Sequence, residues 1–154
     1  MGKNPIEQEF EKHAPHGFSA AEQLPKNSEE AGEWQDANRS FWESCPMRYD
    51  WNEEIGKEEG SGQFFEEIDG RFFQATRATM PWRDIPYDNL IPFEELKKSK
   101  VLEIGVGQGS HAALIAKRVG SFTGIDLTDY AVRMTSTRLK SDPSISTVDI
   151  RRMD

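Results

Sequence analysis

The chain has a single cysteine and no long hydrophobic segment, and each absence excludes a class of protein. Cys45 cannot form an internal disulfide, so nothing indicates an oxidising compartment. No apolar run approaches membrane-spanning length, and the N-terminal segment MGKNPIEQEFEKHAPHG lacks the apolar core of a signal peptide. We therefore predict a cytoplasmic protein without a membrane partner, in which Cys45 is a partly buried packing thiol.

Histidine is also scarce, and acidic residues outnumber basic ones, 27 to 19. The three histidines, His13, His16 and His111, show no metal-ligand spacing, so no metal site is predicted. Residues 1–70 hold 17 acidic and 6 basic residues, whereas residues 71–154 hold 10 acidic and 13 basic ones. The acidic balance of residues 1–70 argues against nucleic acid as a partner of that half, because affinity for phosphates comes mainly from lysine and arginine. The mild positive balance of residues 71–154 is ordinary for a site that takes an anionic group, and no nucleic-acid partner is predicted.

Apolar residues are few for a folded chain, at 36% with a mean hydropathy of -0.73, so the core should occupy only part of the sequence. We predict three segments: a flexible polar leader over residues 1–28, a helical extension over 29–98, and an α/β segment over 99–154. The extension should contain amphipathic helices over 29–45 and 63–80 and a short one over 93–98. Seven aromatic residues are predicted to form the cores of these helices: Trp34, Phe41, Trp42, Phe64, Phe65, Phe72 and Phe73.

The α/β segment alternates strands and helices over short connections. KVLEIG, SFTGID and STVDIRRM are typical of strands, and the two stretches between them are typical of helices. The first of these helices should end at Gly120, and Thr128 is a candidate N-cap of the second. Right-handed crossovers would make the three strands parallel neighbours. The predicted fold class is a Rossmann-like, doubly wound parallel sheet, represented by its first three strands and preceded by helices.

Residues 101–112, VLEIGVGQGSHA, carry glycine at every second position where the first strand turns into a helix. Glycine is required where φ is positive or where a ligand must approach the backbone closely. The start of a helix after a parallel strand is also where doubly wound sheets bind ligands. Gly105, Gly107 and Gly109 are therefore candidate binding residues.

Acidic residues follow the next two strands in corresponding positions. Asp126 ends the second strand, where nucleoside-binding folds hold the two hydroxyls of a ribose, and Asp154 ends the third. A dinucleotide fingerprint, G-x-G-x-x-G, would need glycine at position 110, where this chain has Ser110. The observed spacing is instead E-x-G-x-G-x-G, beginning at Glu103.

VLEIGVGQGSHA, FTGIDLTDYAV and VDIRRMD together resemble the first three motifs of the class I S-adenosylmethionine-dependent methyltransferases. The group that they resemble most is the small-molecule "type 11" methyltransferases related to quinone-biosynthesis enzymes. The upstream stretches FWESCPMRYDW and PWRDIPYDNLIPFEELK resemble the N-terminal extension of a bacterial branch of that group. The family often uses such helices as a lid over the site, so the extension over 29–98 is expected to be a lid and some of its aromatic residues could line the site as well. The resemblance covers residues 34–154.

This resemblance implies a cofactor, S-adenosylmethionine, and a role for each motif residue. Gly105, Gly107 and Gly109 would lie under the methionine part of the cofactor. Glu103 would help to hold the loop and the cofactor's amino group, although an acid that only ties down the glycine turn is an alternative. Asp126 would accept from the ribose hydroxyls and Asp154 from the adenine amine, with Met153 near the ring.

In the family, the acceptor pocket and the catalytic residues come from the fourth strand onward, so no catalytic residue is assigned here. The chain therefore resembles the N-terminal fragment of a methyltransferase acting on a small-molecule acceptor, with the fragment itself predicted to be inactive. Two alternatives stay open: a fragment of an NAD(P)-dependent oxidoreductase, and a non-catalytic nucleoside-binding or interaction module. An unpaired edge on the strand VLEIG predicts self-association.

Overall fold

A computed structural model describes residues 24–50, 53–79, 87 and 90–153, with the side chains of 75–79 excepted. By their contacts the described residues divide into two units between Trp34 and Gln35, and the sheet belongs to the second. The helices and strands, in chain order, are α1 Ser28–Ser44, α2 Gly62–Thr79, α3 Phe93–Leu96, β1 Lys100–Ile104, α4 Ser110–Ala116, β2 Ser121–Asp126, α5 Asp129–Lys140 and β3 Val148–Arg152.

The three strands form one parallel sheet in the order β1-β2-β3. Val101 is in register with Phe122, which in turn is in register with Val148. Parallel neighbours need a crossover between them, and α4 and α5 provide it. The predicted α/β class with a parallel, Rossmann-like sheet is thereby confirmed.

The main core lies between one face of the sheet and the helices α4 and α5. Phe122 from β2, Ala112 from α4 and Leu139 from α5 are almost fully buried there. Because side chains alternate along a strand, the neighbours of the inward residues point away from this core. Leu102 and Ile104 of β1 are accordingly 56% and 77% exposed.

A second core cluster packs α2 against α5. Phe64, Phe65 and Ile68 of α2 are buried with Tyr130 and Met134 of α5. The prediction that the aromatic residues of the second helix form a core is confirmed for Phe64 and Phe65. Burial against α5 stabilises this docking by roughly 2 kcal/mol per large apolar side chain.

The prediction for the aromatic residues of α1 is wrong. The helix has the predicted extent but no buried residue, and Trp34 and Phe41 are 41% and 47% exposed. Cys45, predicted to be partly buried, is also exposed. Trp42 is partly buried, so the periodicity identified the helix but not which of its residues pack against the rest of the fold.

Local chain signals determine where the remaining helices begin and end. The predicted N-cap of α5 is confirmed, because the Thr128 hydroxyl accepts a hydrogen bond from the N–H of Ala131 at 3.2 Å. Helix α4 ends at Ala116 with Lys117 as its C-cap, earlier than the predicted end at Gly120. None of the helices in the described ranges combines the length and apolar character that crossing a bilayer requires.

Candidate functional site

A cavity of about 420 Å³ lies at the carboxyl ends of the strands. Four parts of the chain form its walls: α1 and the residues after it, the loop after β1, the end of β2 with the start of α5, and the residue after β3. The lining residues are Gln35, Asn38, Trp42, Pro46, Met47, Ile104, Gly105, Gly107, Gln108, Ile125, Asp126, Leu127, Thr128, Tyr130, Ala131 and Met153.

The three glycines of the loop all have positive φ, at 79° for Gly105, 52° for Gly107 and 78° for Gly109, but they serve two purposes. A Cβ added to Gly105 or Gly107 would meet no atom within 4 Å, so these positions leave open space beside the cavity. A Cβ on Gly109 would lie 2.9 Å from Oγ1 of Thr135. Gly109 therefore allows α4 to start directly against α5.

Hydrogen bonds from β2 and α5 hold the glycine loop in place. The N–H of Gly105 donates to the carbonyl oxygen of Ile125 at 2.8 Å, and the N–H of Gly107 donates to Oδ2 of Asp126 at 3.0 Å. From the other side, the hydroxyl of Thr135 donates to the carbonyl oxygen of Gly107 at 3.0 Å. The loop is thus held on two sides before any ligand binds.

Asp126 also organises the start of α5. Its Oδ1 accepts from the N–H of Thr128 at 3.0 Å and from the Thr128 hydroxyl at 2.9 Å. A carboxylate offers about four acceptor positions, so these bonds and the one from Gly107 leave about one, on Oδ2. The sequence predicted an acceptor for two ribose hydroxyls, whereas the structure leaves room on this carboxylate for about one.

Glu103 lies beside the loop but does not line the cavity. Its side chain is 16% exposed, and burial raises the pKa of its carboxyl to about 7. Oε1 is 3.9 Å from Nδ1 of His111, and Oε2 has no hydrogen-bond partner in the described part of the chain. The loop-holding contact comes from Asp126 instead.

His111 packs against aromatic residues beside Glu103. Its ring meets the rings of Phe72 and Tyr87 nearly edge-on, with centroids 4.8 Å and 5.0 Å away. Burial lowers the pKa of its imidazole. Burial thus shifts both groups of the His111–Glu103 pair towards their neutral forms, and packing is the main role that the structure gives the histidine.

The structure brings together only some of the residues predicted for the site. Gly105, Gly107 and Asp126 line the cavity with Met153, whereas Gly109 packs against Thr135 of α5 and does not line it. Asp154 lies outside the described residues. Trp42 of α1 lines the cavity, as the resemblance to a family with helices over the site allowed. Gln35 and Asn38, which the sequence analysis did not single out, recur with it at helical spacing on one side of α1.

The described residues contain no group of three or more histidine, cysteine or acidic side chains that could hold a metal ion. Comparison with known proteins assigns no function to the site. No protein-family model matches the chain, and no curated protein matches it either.

Proposed function

We propose that the cavity binds S-adenosylmethionine and that the chain carries the cofactor site of a methyltransferase acting on a small molecule. One observation carries the proposal: Asp126 is the only charged side chain among the described residues that line the cavity. It lies beside the glycine loop whose spacing resembles that family. An anionic cavity without a lysine or arginine suits a ligand with a positive charge.

The described residues fit this cofactor in size and chemistry. The volume of about 420 Å³ is within the range of small-molecule sites, roughly 300–1,000 Å³. The walls include the aromatic residue Trp42, and indole rings attract cations through their negatively charged faces. Tyr130 also lines the cavity, but its ring is buried in the core and already lies under the guanidinium of Arg133. A sulfonium group would therefore have a carboxylate and one aromatic residue, Trp42, to bind to.

Each part of the cofactor would have its own residues in this arrangement. Gly105 and Gly107 lack side chains that would fill the space beside the methionine part. The remaining acceptor position of Asp126 would take a ribose hydroxyl. Leu127 and Met153 would flank the adenine with apolar surface, as the resemblance implies for Met153.

The cofactor supplies a methyl group that is already activated by its positively charged sulfur. The protein therefore has to orient the reactants and exclude water more than it has to activate them. Gln35, Asn38 and Trp42 of α1 form one wall of the cavity and would reduce the exposure of a bound cofactor to water.

A nicotinamide dinucleotide fits the cavity less well. Its diphosphate carries negative charge, and the described lining residues offer an aspartate but no lysine or arginine. Ser110 also replaces the third glycine of the dinucleotide fingerprint, and its side chain is buried. Both observations favour S-adenosylmethionine over NAD(P).

Titration calorimetry on the 154-residue chain tests the proposal. We expect S-adenosylhomocysteine to bind and NADH not to bind, with adenosine as the control for simple nucleoside recognition. NADH binding more tightly than S-adenosylhomocysteine would contradict the methyltransferase assignment. Adenosine binding as tightly as S-adenosylhomocysteine would favour a nucleoside-binding module, because the methionine part would then contribute nothing.

The cellular setting follows from the same proposal. We propose a cytoplasmic protein whose second substrate is a small-molecule methyl acceptor. Self-association through β1 is a further proposal, because no strand in the described ranges pairs with its outer edge.

A further inference from the structure

A buried arginine connects α2 to the glycine loop. Arg138 of α5 has a side chain that is 8% exposed, and its guanidinium forms an ion pair with Asp69 of α2. The same guanidinium donates to the carbonyl oxygen of Gln108 and to the hydroxyl of Ser110, each at 3.4 Å. It also lies over the ring of Phe65, 5.1 Å from the centroid.

Arg138 and Thr135, one turn apart on α5, form the surface on which the loop rests. Thr135 donates to the carbonyl oxygen of Gly107, and Arg138 donates to that of Gln108, the next residue along. A Cβ on Gly109 would lie 3.3 Å from Cδ of Arg138. The position of the guanidinium therefore affects the backbone of the loop directly.

We propose that Arg138 is a positioning residue that couples the docking of α2 to the shape of the glycine loop, and so to ligand binding. The ligand's identity rests on the proposed function, whereas the coupling rests on these contacts alone. Several donors on one rigid, planar group bind Asp69, Gln108 and Ser110 together. If Asp69 is neutralised, the guanidinium loses its counter-charge and is held beside the loop only by its two 3.4 Å contacts and the ring of Phe65, so its position is less fixed.

The coupling is more than a contribution to stability. Phe64, Phe65 and Ile68 already dock α2 on α5 by burying apolar surface. A buried ion pair adds little net stability to such packing, because desolvation offsets its Coulomb attraction. What the pair does contribute is orientation, since the two groups fix where the guanidinium points.

Four variants of the 154-residue chain test the proposal: Asp69→Asn, Arg138→Lys, Arg138→Met and the double variant Asp69→Asn/Arg138→Met. Lys117→Met is the matched control, because it removes a salt bridge to Asp142 that does not involve the loop. Calorimetry gives the affinity for S-adenosylhomocysteine. Hydrogen exchange of residues 105–110 reports on the loop without any ligand.

We expect Asp69→Asn to weaken S-adenosylhomocysteine binding about 5-fold or more, although residue 69 does not line the cavity. The double variant should bind no more weakly than Arg138→Met, because both substitutions break the same connection. Arg138→Lys should bind better than Arg138→Met, since it keeps one charged donor. Exchange of the loop amides should be faster in all four variants and unchanged in Lys117→Met.

Two failures are distinguishable. Absence of S-adenosylhomocysteine binding in the wild-type chain would overturn the proposed function, while faster loop exchange in Asp69→Asn would still support the coupling. Wild-type loop exchange in Asp69→Asn and Arg138→Lys would overturn the coupling. If Asp69→Asn does not fold, loop exchange in Arg138→Lys alone tests the coupling, and a wild-type rate there would overturn it.

Discussion

The carboxylate of Asp126 accepts a hydrogen bond from the backbone N–H of Gly107 across 3.0 Å. The acid at the end of β2 and the glycine loop after β1 are therefore one structural unit, although 19 residues separate them. Any ligand that uses Asp126 also meets the group that holds the loop. Substitutions at either position should affect both ligand binding and loop order.

Replacing Asp126 by asparagine should weaken S-adenosylhomocysteine binding by about 1–3 kcal/mol, because an amide has one acceptor oxygen for three bound donors. Calorimetry measures the affinity, and thermal unfolding measures the accompanying loss of stability. Asp129→Asn is the matched control, since Asp129 is exposed and pairs with Arg152 instead of with the loop. Unchanged affinity in Asp126→Asn would mean that this carboxylate serves the fold and not the ligand.

Alanine at the loop glycines should separate folding from binding. Gly109→Ala combines a positive φ with a Cβ 2.9 Å from Thr135, so it should destabilise the chain by more than the roughly 1–2 kcal/mol of a left-handed residue. Gly107→Ala has the positive φ but open space around its Cβ, so binding should suffer more than stability.

Urea unfolding and calorimetry together test this ordering of the glycines. The control is Gly70→Ala within α2, because a Cβ added to Gly70 would meet no atom within 4 Å. This substitution should stabilise the chain by about 1 kcal/mol. Equal stability losses in Gly107→Ala and Gly109→Ala would show that the contact with Thr135 does not add to the destabilisation caused by the positive φ.

Glu103 should make the chain less stable as pH rises. Its carboxyl has a pKa of about 7 in the folded chain instead of 4.5. Between these values the folded chain keeps a proton that the unfolded chain has lost, so the unfolding free energy falls across this window and levels off above pH 7. At 1.36 kcal/mol per unit the loss is at most about 3 kcal/mol.

Glu103→Gln should therefore match the wild type at pH 4 and exceed its stability at pH 8. Urea unfolding at pH 4, 6 and 8 measures the difference. Glu66→Gln, on the exposed side of α2, should keep the wild-type dependence. A Glu103→Gln profile parallel to the wild-type profile would assign the pH dependence to another group.

Trp42 should distinguish the charged cofactor from its uncharged product. An aromatic face attracts a cation by about 0.5–2 kcal/mol, so Trp42→Leu should weaken S-adenosylmethionine binding more than S-adenosylhomocysteine binding. Phe41→Leu is the control, because Phe41 neighbours Trp42 but does not line the cavity. Equal losses of affinity for the two ligands would show that Trp42 contributes only apolar surface.

The outer edge of β1 should promote self-association. Leu102 and Ile104 expose apolar surface beside an edge that pairs with no strand in the described ranges. Light scattering should show a mass that rises with concentration in the wild type and falls towards the monomer in Leu102→Lys. Leu90→Lys, an exposed position outside the sheet, is the control. A wild-type monomer at all concentrations would refute the prediction.

The sequence alone was sufficient for the local features of this protein. These local features depend on neighbouring residues. They are the alternation of strands and helices, the N-cap at Thr128 and the left-handed backbone of the loop glycines. Backbone geometry at Gly105 or Gly109 is a local property, so a pattern of residue types predicts it well. The parallel order of the strands followed because short right-handed crossovers leave few alternatives.

Only the tertiary structure decided which side of each element meets another. Trp34 and Phe41 are exposed although their spacing suggested a core, and Gln35 and Asn38 line the cavity instead. Burial of Glu103 depends likewise on the helices that cover one face of β1.

The partners of the charged side chains could not be predicted from the sequence either. Asp69 and Arg138 are 69 positions apart, and the carboxylate of Glu43 accepts from the N–H of Tyr130 across 87 positions. Such contacts depend on how whole helices pack, because the free energy of a buried ion pair or hydrogen bond depends on its surroundings more than on its residue types. Local sequence therefore determined the elements and the loop, and packing between distant segments decided which side chains surround the cavity.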